Sequence, residues 1–394
     1  MKNNLTLKHT LIIVALFSGT LFYSCAPVKE FKTMPAYDRT NDYSYRLPAY
    51  DSLKKTVVIV ANNDGTELFD MLAPFYLFNS TGKANVYIAA KNKVPIIVKK
   101  GIFILPQSTF SEIDSMRIKP DVIVIPFLSV ADSVHQDPVI VKWIQQHYSP
   151  GVHILSVCDG SATAAATGLF DSKPITAHAS DYAGIKTYFS KPLWKNNVAV
   201  VNEGNLYSTA GVSNATDGSL LVIEKIFGTD VMKDIIEEVY YPGSSPKTEH
   251  KSKALRFGNN MVILKKLLFK KNKKIGVLLQ NNMNEFQLAG IMDTYNRTLP
   301  ASIQSLSVND AAIQSKYGLT IIPTGKWNLA RVDELHVVEP SSFSINSNAL
   351  FSSAELVTYD NNQKRYIIDE CLQRIETLYG KRYQDIVKLM LDYN

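Results

Sequence analysis

The sequence predicts an α/β fold: a parallel β-sheet with helices on both faces, followed by a degenerate, shortened second copy of the same unit. Three observations predict it. Between Lys54 and Pro242, short β-branched runs alternate with helical patterns in the order of βαβ units. Those runs are almost continuously apolar, as strands covered on both faces must be. Segments of this stretch then recur in the same order beyond Lys273, the mark of an internal repeat.

Taken in order, TVVIVA (56–61), NVYIAA (85–90), DVIVIP (121–126), VHILSV (152–157) and PITAH (174–178) read as strands. Between them, ELFDMLAPFYLFN (67–79) and PVIVKWIQQHY (138–148) carry apolar residues at helical spacing. NVAVVNEGNLYSTA (197–210) reads as a hairpin turning at Glu203-Gly204-Asn205, and DGSLLVIEKIFG (217–228) with DVMKDIIEEVYY (230–241) as two closing helices.

The second copy is worn. KKTVVIVANNDGTELFDMLAPFY from Lys54 matches KKIGVLLQNNMNEFQLAGIMDTY from Lys273, VIVIP ending at Pro126 matches LTIIP ending at Pro323, and VIEKIFG ending at Gly228 matches RIETLYG ending at Gly380. Pro126 to Gly228 spans 102 positions and Pro323 to Gly380 only 57, so the second copy lacks 45 residues where the first carries SVCDGS. It has no equivalent of Cys158, and Ala289 stands in the place of Asp70. The expected organisation is one complete unit over 54–242, a basic linker over 243–272 and a truncated repeat over 273–394. The second copy is expected to cover the first as a partner subunit would, an intrachain pseudo-dimer.

At 394 residues, 46% hydrophobic and 20% charged, the chain has ordinary globular composition and length enough for two domains. Its net charge of +6 falls to +4 once Lys2 and Lys8 are set aside, and six lysines crowd between Lys265 and Lys274. The remainder is close to neutral, and nucleic acid is not an expected partner. The basic cluster reads as a solvated linker face or as a patch for lipid headgroups or another anionic partner.

Lys2 and Lys8 precede fifteen uncharged residues, Thr10 to Ser24, that end at Cys25. This is the secretory pattern, too short for a membrane span of about 20 residues. LFYSC resembles a bacterial lipoprotein processing site, which makes residues 1–25 a signal peptide, Cys25 the lipidated residue and a bacterial cell envelope the location; an uncleaved anchor is the alternative. Residues 26–53 lack apolar periodicity and read as a polar tether. The other cysteines, Cys158 and Cys371, show no disulfide framework in their spacing.

SVCDGS places Ser156 two residues before Cys158 and Gly160 two after it, the small-x-nucleophile-x-small spacing of a sharp strand-to-helix turn. Only small side chains fit where such a turn brings backbones together. The helix formers of SATAAATG follow, with Gly168 as a stop. The amides opening that helix are expected to favour thiolate at Cys158. The bland alternative is an inert buried cysteine. Ligands of parallel sheets bind at the carboxyl ends of the strands, where Asp70 and His178 are the candidate partners. Asp70 could instead support a helix terminus, and His178 could be a loop residue. His135, His147 and His153 lack zinc-ligand spacing, and Asp64-Gly65 is too little for a phosphate loop; neither a metal nor a cofactor is expected.

From Thr56 to Pro242 these residues resemble the ThiJ/PfpI superfamily, with its class I glutamine amidotransferase-like, flavodoxin-like sandwich. Its members include deglycases, intracellular peptidases, isonitrile hydratases and the sensor domains of AraC-type regulators. SVCDGSATAAATGLFDSKPITAH and LYSTAGVSNATDGSLLVIEKIFG are most similar to the isonitrile hydratase and regulator-sensor branch. The resemblance implies a nucleophile at Cys158, an acid beside it at Asp70 and an assisting histidine at His178; Asp159, Phe127 and Leu128 are candidate binding positions beside them.

Three departures narrow this. Asp159 stands where the peptidase and deglycase branch has a histidine, and its charge opposes thiolate formation; peptidase activity is not expected. The family's Gly-Gly oxyanion turn reads Pro126-Phe127-Leu128, whose side chains resist the angles glycine allows. Where regulators continue into a DNA-binding domain, KKIGVLLQ begins the shortened copy. Two functions follow: a cysteine-dependent hydrolase or hydratase acting on a small carbonyl or nitrile-like compound, or a non-catalytic module sensing a small ligand or oxidant.

Overall fold

A computed structural model of the chain describes residues 48–98, 101–130, 135–338, 353–359 and 364–393, together with Tyr37 and Tyr43. The expected signal peptide, Cys25 and most of the tether lie outside the described residues. Among the described residues no helix is long and apolar enough to cross a membrane.

The first half builds β1 (Lys55–Val60), helix α1 (Leu68–Ser80), β2 (Ala84–Ala90), the short β3 (Ile96–Val98), β4 (Ile102–Ile104) and β5 (Ser108–Thr109), then α2 (Phe110–Ser115) and β6 (Val122–Ile125). It continues with α3 (Pro138–His147), β7 (His153–Ser156), α4 (Gly160–Ala166), β8 (Pro174–Ile175), α5 (Tyr182–Tyr188) and β9 (Leu193–Trp194). The hairpin β10 (Val200–Glu203) and β11 (Leu206–Thr209) and the helices α6 (Ala215–Phe227) and α7 (Thr229–Glu238) close it. Seven of these strands form one sheet in the order β10-β11-β7-β6-β1-β2-β5, parallel throughout except for β10 against β11. The expected α/β class and its parallel sheet are borne out.

The continuous apolar runs have a direct cause. Successive side chains of a strand point to opposite faces, and both faces are covered. Val57, Ile59, Val122, Val124 and Leu155 join one core with α1 and α6, while Val58, Val60, Ile123, Ile125 and Ile154 join a second with α2, α3 and α4. One expected strand departs from this scheme. PITAH supplies only β8, outside the large sheet and paired with β9. Thr176 just beyond it exchanges hydrogen bonds with the Ser208 hydroxyl instead of extending a ladder.

The stretch expected as a basic linker contains α8 (Phe257–Phe269). The second half follows: β12 (Lys274–Leu278), α9 (Glu285–Asn296), β13 (Ser302–Leu306), β14 (Ile313–Gln314), β15 (Thr320–Pro323), β16 (Glu334–Val338), β17 (Glu355–Tyr359), α10 (Ile367–Tyr379) and α11 (Lys381–Leu391). Its parallel sheet runs β13-β12-β16-β17. The halves are joined rather than separated by solvent: β15 pairs with β4, giving a mixed sheet β14-β15-β4-β3. Helix α1 packs on α9 through Phe69 against Phe286, ring centroids 5.2 Å apart. That contact explains why α1 is buried on every side from Leu68 to Phe78.

Candidate active site

β7 ends at Ser156, paired with Ile125 of β6, and the chain then turns within three residues into α4. Cys158 sits in the turn at φ 54°, a left-handed conformation unusual for a residue with a Cβ. Holding it there costs about 1–3 kcal/mol. Gly160 opens the helix because nothing larger fits. A Cβ there would overlap the carbonyl oxygen of Ile125 and approach that of Pro126 at 2.7 Å. The close approach that demands a small residue is therefore to the neighbouring strand.

Two other segments meet this turn. Glu67 caps α1, its carboxylate accepting the backbone N–H of Asp70 at 3.0 Å. The backbone N–H of Glu67 donates to the carbonyl of Phe127 at 2.9 Å, and the N–H of Phe127 donates to Asp70 Oδ2 at 3.1 Å. These bonds lock the loop after β6 onto the first turn of α1. Neither Phe127 nor Leu128 takes a positive φ, so the turn does not adopt the angles glycine allows, and the amide of Phe127 faces a carboxylate. Both side chains are buried.

The thiol lies inside this arrangement, 4% exposed, and Asp70 is fully buried. Burial, then the charges of Asp159, Asp70 and Glu67, push the Cys158 thiol well above its ordinary range, while the backbone N–H of Asp159 pulls the other way. Burial and three carboxylates thus oppose the thiolate that the opening amides were expected to favour. The opposition expected of Asp159 is present, and it is the largest charge effect on the sulfur.

His178 does not end a sheet strand but lies in the loop after β8. Its backbone N–H donates to Asp159 Oδ1 at 3.3 Å, its Nδ1 accepts from the Ser180 N–H at 3.3 Å, and Asp181 Oδ2 lies 3.8 Å from Nδ1. Asp70 and Phe127 thus meet directly, Asp159 flanks Cys158 in the turn and holds His178, and the charge of Asp70 reaches the sulfur. Two participants escaped the sequence reading. Glu67 carries a readable signal, an acid three residues before Asp70 at the start of an apolar helical run. Arg297 carries none: it arrives from α9, its Nη2 3.5 Å from Glu67 Oε1, and is held by Asp293 and by the carbonyl of Met390 at 3.0 Å.

Residues 54–225 match the model of the DJ-1/PfpI family. An isonitrile hydratase of Pseudomonas putida is 24% identical over 177 residues, covering 45% of this chain and 75% of that protein. Among solved structures, DJ-1beta of Drosophila melanogaster is 18% identical with a TM-score of 0.41, covering 47% of this chain and 97% of its own. A THiJ/PfpI family protein from Pseudomonas syringae is 21% identical with a TM-score of 0.42, covering 49% and 77%. The likeness to this family lies in the part of the chain that carries the seven-stranded sheet.

Proposed function

We propose that this part of the chain is a DJ-1/PfpI-type, cysteine-dependent hydratase or hydrolase acting on a small carbonyl or nitrile-like compound. The observation that carries the reading is a cysteine held at positive φ within the field of a fully buried carboxylate, Asp70, an arrangement that costs stability. A neutral thiol must lose its proton as it attacks. For a nitrile, the Cys158 sulfur bonds to the electrophilic carbon, Asp70 takes the thiol proton and passes it to nitrogen, and a thioimidate results; for an isonitrile, sulfur bonds to the terminal carbon and the proton passes to that same carbon, giving a thioformimidate. Water then adds to that carbon, the carbon–sulfur bond breaks, and sulfur recovers a proton as the amide leaves. His178, tied to Asp159, orients the outer wall. The isonitrile hydratase relative makes isonitriles the first compounds to test.

The protein and its Cys158→Ser variant are incubated with small isonitriles, nitriles and aldehydes, and hydrated products are followed by mass spectrometry. Product from the parent alone supports the reading; none from either overturns it. The burial and raised thiol favour the second reading, a sensing module, in which the same compounds bind without turnover and stabilise the fold.

The basic-then-apolar start and LFYSC support a lipid at Cys25 anchoring the chain to a bacterial envelope membrane, tested by loss of labelled fatty acid in Cys25→Ala. The α1–α9 contact and the shared mixed sheet support a pseudo-dimer in which a worn repeat covers the first copy.

A further inference from the structure

We propose that the outward face of α8 docks onto an anionic phospholipid bilayer. At 100° per residue, Phe257, Met261, Leu264 and Leu268 fall within an arc of roughly 60° along this helix. Lys266 falls opposite, and its side defines the inner face. Its Nζ donates to the carbonyls of Thr298 at 2.7 Å and Leu299 at 3.0 Å and lies 5.1 Å from the ring centre of Tyr379. Val262 and Ile263 pack on the same core. With that side pinned, the apolar arc turns outward: Phe257 is 64% exposed, Met261 43% and Leu268 67%, Leu264 is half-buried, and Phe269, about 80° further round at the helix end, is 80% exposed.

Phe257, Met261 and Leu268 on one face of a short helix, continued by Phe269 at its end, are a docking surface rather than scattered exposure, and the charge around them selects the partner. Lys253, Arg256, Lys265 and Lys270 are all exposed at its margins. An apolar strip with a basic rim is the pattern of a helix lying in a membrane interface, apolar residues among the acyl chains and lysines among anionic headgroups. Pairing with a second copy of the same face would bring those lysines together. This docking is independent of the chemistry at Cys158 and adds a second contact to any lipid at Cys25, as stable anchoring requires.

The test uses the full chain carrying Cys25→Ser, Cys158→Ser and Met261→Cys, labelled at position 261 with an environment-sensitive fluorophore; Cys371 is buried. A blue shift is expected with vesicles of phosphatidylglycerol and phosphatidylcholine in equal parts. Lys265→Gln and Lys270→Gln should each weaken partitioning about fivefold, and Leu268→Ser with Phe269→Ser should abolish the shift. A control label at Lys119→Cys should stay unchanged. The proposal is overturned by no shift on anionic vesicles, by an equal shift on phosphatidylcholine alone, by indifference to the lysine changes, or by a shift that grows with protein concentration without vesicles, which would assign the face to self-association.

Discussion

Glu67 and Arg297 stand 230 positions apart in the chain and meet at 3.5 Å in its interior. The carboxylate that receives this guanidinium also receives the N–H of Asp70, so one side chain ties the second half of the molecule to the acid beside Cys158. Arg297 in turn closes an ion pair with Asp293 one turn back on α9. Two buried carboxylates share one buried cation.

Arg297→Met takes this cation from both carboxylates, and breaking such a pair from one side costs about 3–5 kcal/mol. The variant should show a lower urea midpoint at unchanged slope. Adding Glu67→Gln should recover part of the loss, because one of the stranded charges is then gone. A neutral outcome for the single variant would mean that water reaches the pair.

Asp70→Asn separates the two roles that Asp70 combines. As a charge it holds the Cys158 proton on; as a base it would remove that proton during attack. The asparagine variant should therefore be alkylated by iodoacetamide faster than the parent at pH 8, and yet lose turnover by about 100-fold or more. Slower alkylation would place the carboxylate's influence elsewhere.

The pH dependence of Cys158 follows from the direction of its shift. Its folded-state pKa lies above the unfolded value, so the folded chain binds the proton more tightly, and the linked stability is fully present below about pH 8.5. As pH rises beyond that value the unfolded state ionises first and stability falls. Urea midpoints of the parent and Cys158→Ala should draw together between pH 8 and 10, and iodoacetamide labelling near pH 7 should be slow.

Much of this was readable in residues. Runs such as 56–61 and 121–126 betray buried strands because each feeds two cores at once, Val57 and Ile59 to one and Val58 and Val60 to the other. The turn at Cys158 is readable because a steric demand, here the carbonyls of Ile125 and Pro126 against Gly160, restricts residue type directly. The protonation state of the sulfur is not readable. It depends on burial and on acids that arrive from separate segments, Glu67 and Asp70 from α1 and Asp159 from the turn itself. LTIIP matches VIVIP in sequence, yet Thr320–Pro323 pairs antiparallel with Ile102–Ile104, and it is Glu334–Val338 that lies beside β12 as Val122–Ile125 lies beside β1; runs so short carry no periodic signal. Gly228 and Gly380 are the opposite case: each ends one helix and opens the next at φ 94° and 88°, so matched glycines in VIEKIFG and RIETLYG mark matched turns.

Glu334 supplies the clearest acid response. Burial alone would raise its carboxyl, but hydrogen bonds from His336 and Lys273 and the charge of Arg374 outweigh it and bring the group down to about 2. His336 is itself fully buried and pushed down by that burial. Its Nδ1 lies 2.8 Å from the Tyr359 hydroxyl and its Nε2 3.2 Å from Glu334 Oε2. Because the folded pKa of Glu334 lies below the unfolded one, its contribution is present above about pH 4.3 and is lost as pH falls toward 2. The shift corresponds to about 3 kcal/mol at neutral pH. Glu334→Gln should therefore lower the urea midpoint at pH 7, strand Lys273 and Arg374 with only Glu355 between them, and bring parent and variant together near pH 2. A difference that persists unchanged at pH 2 would show that the loss comes from packing and not from the charge.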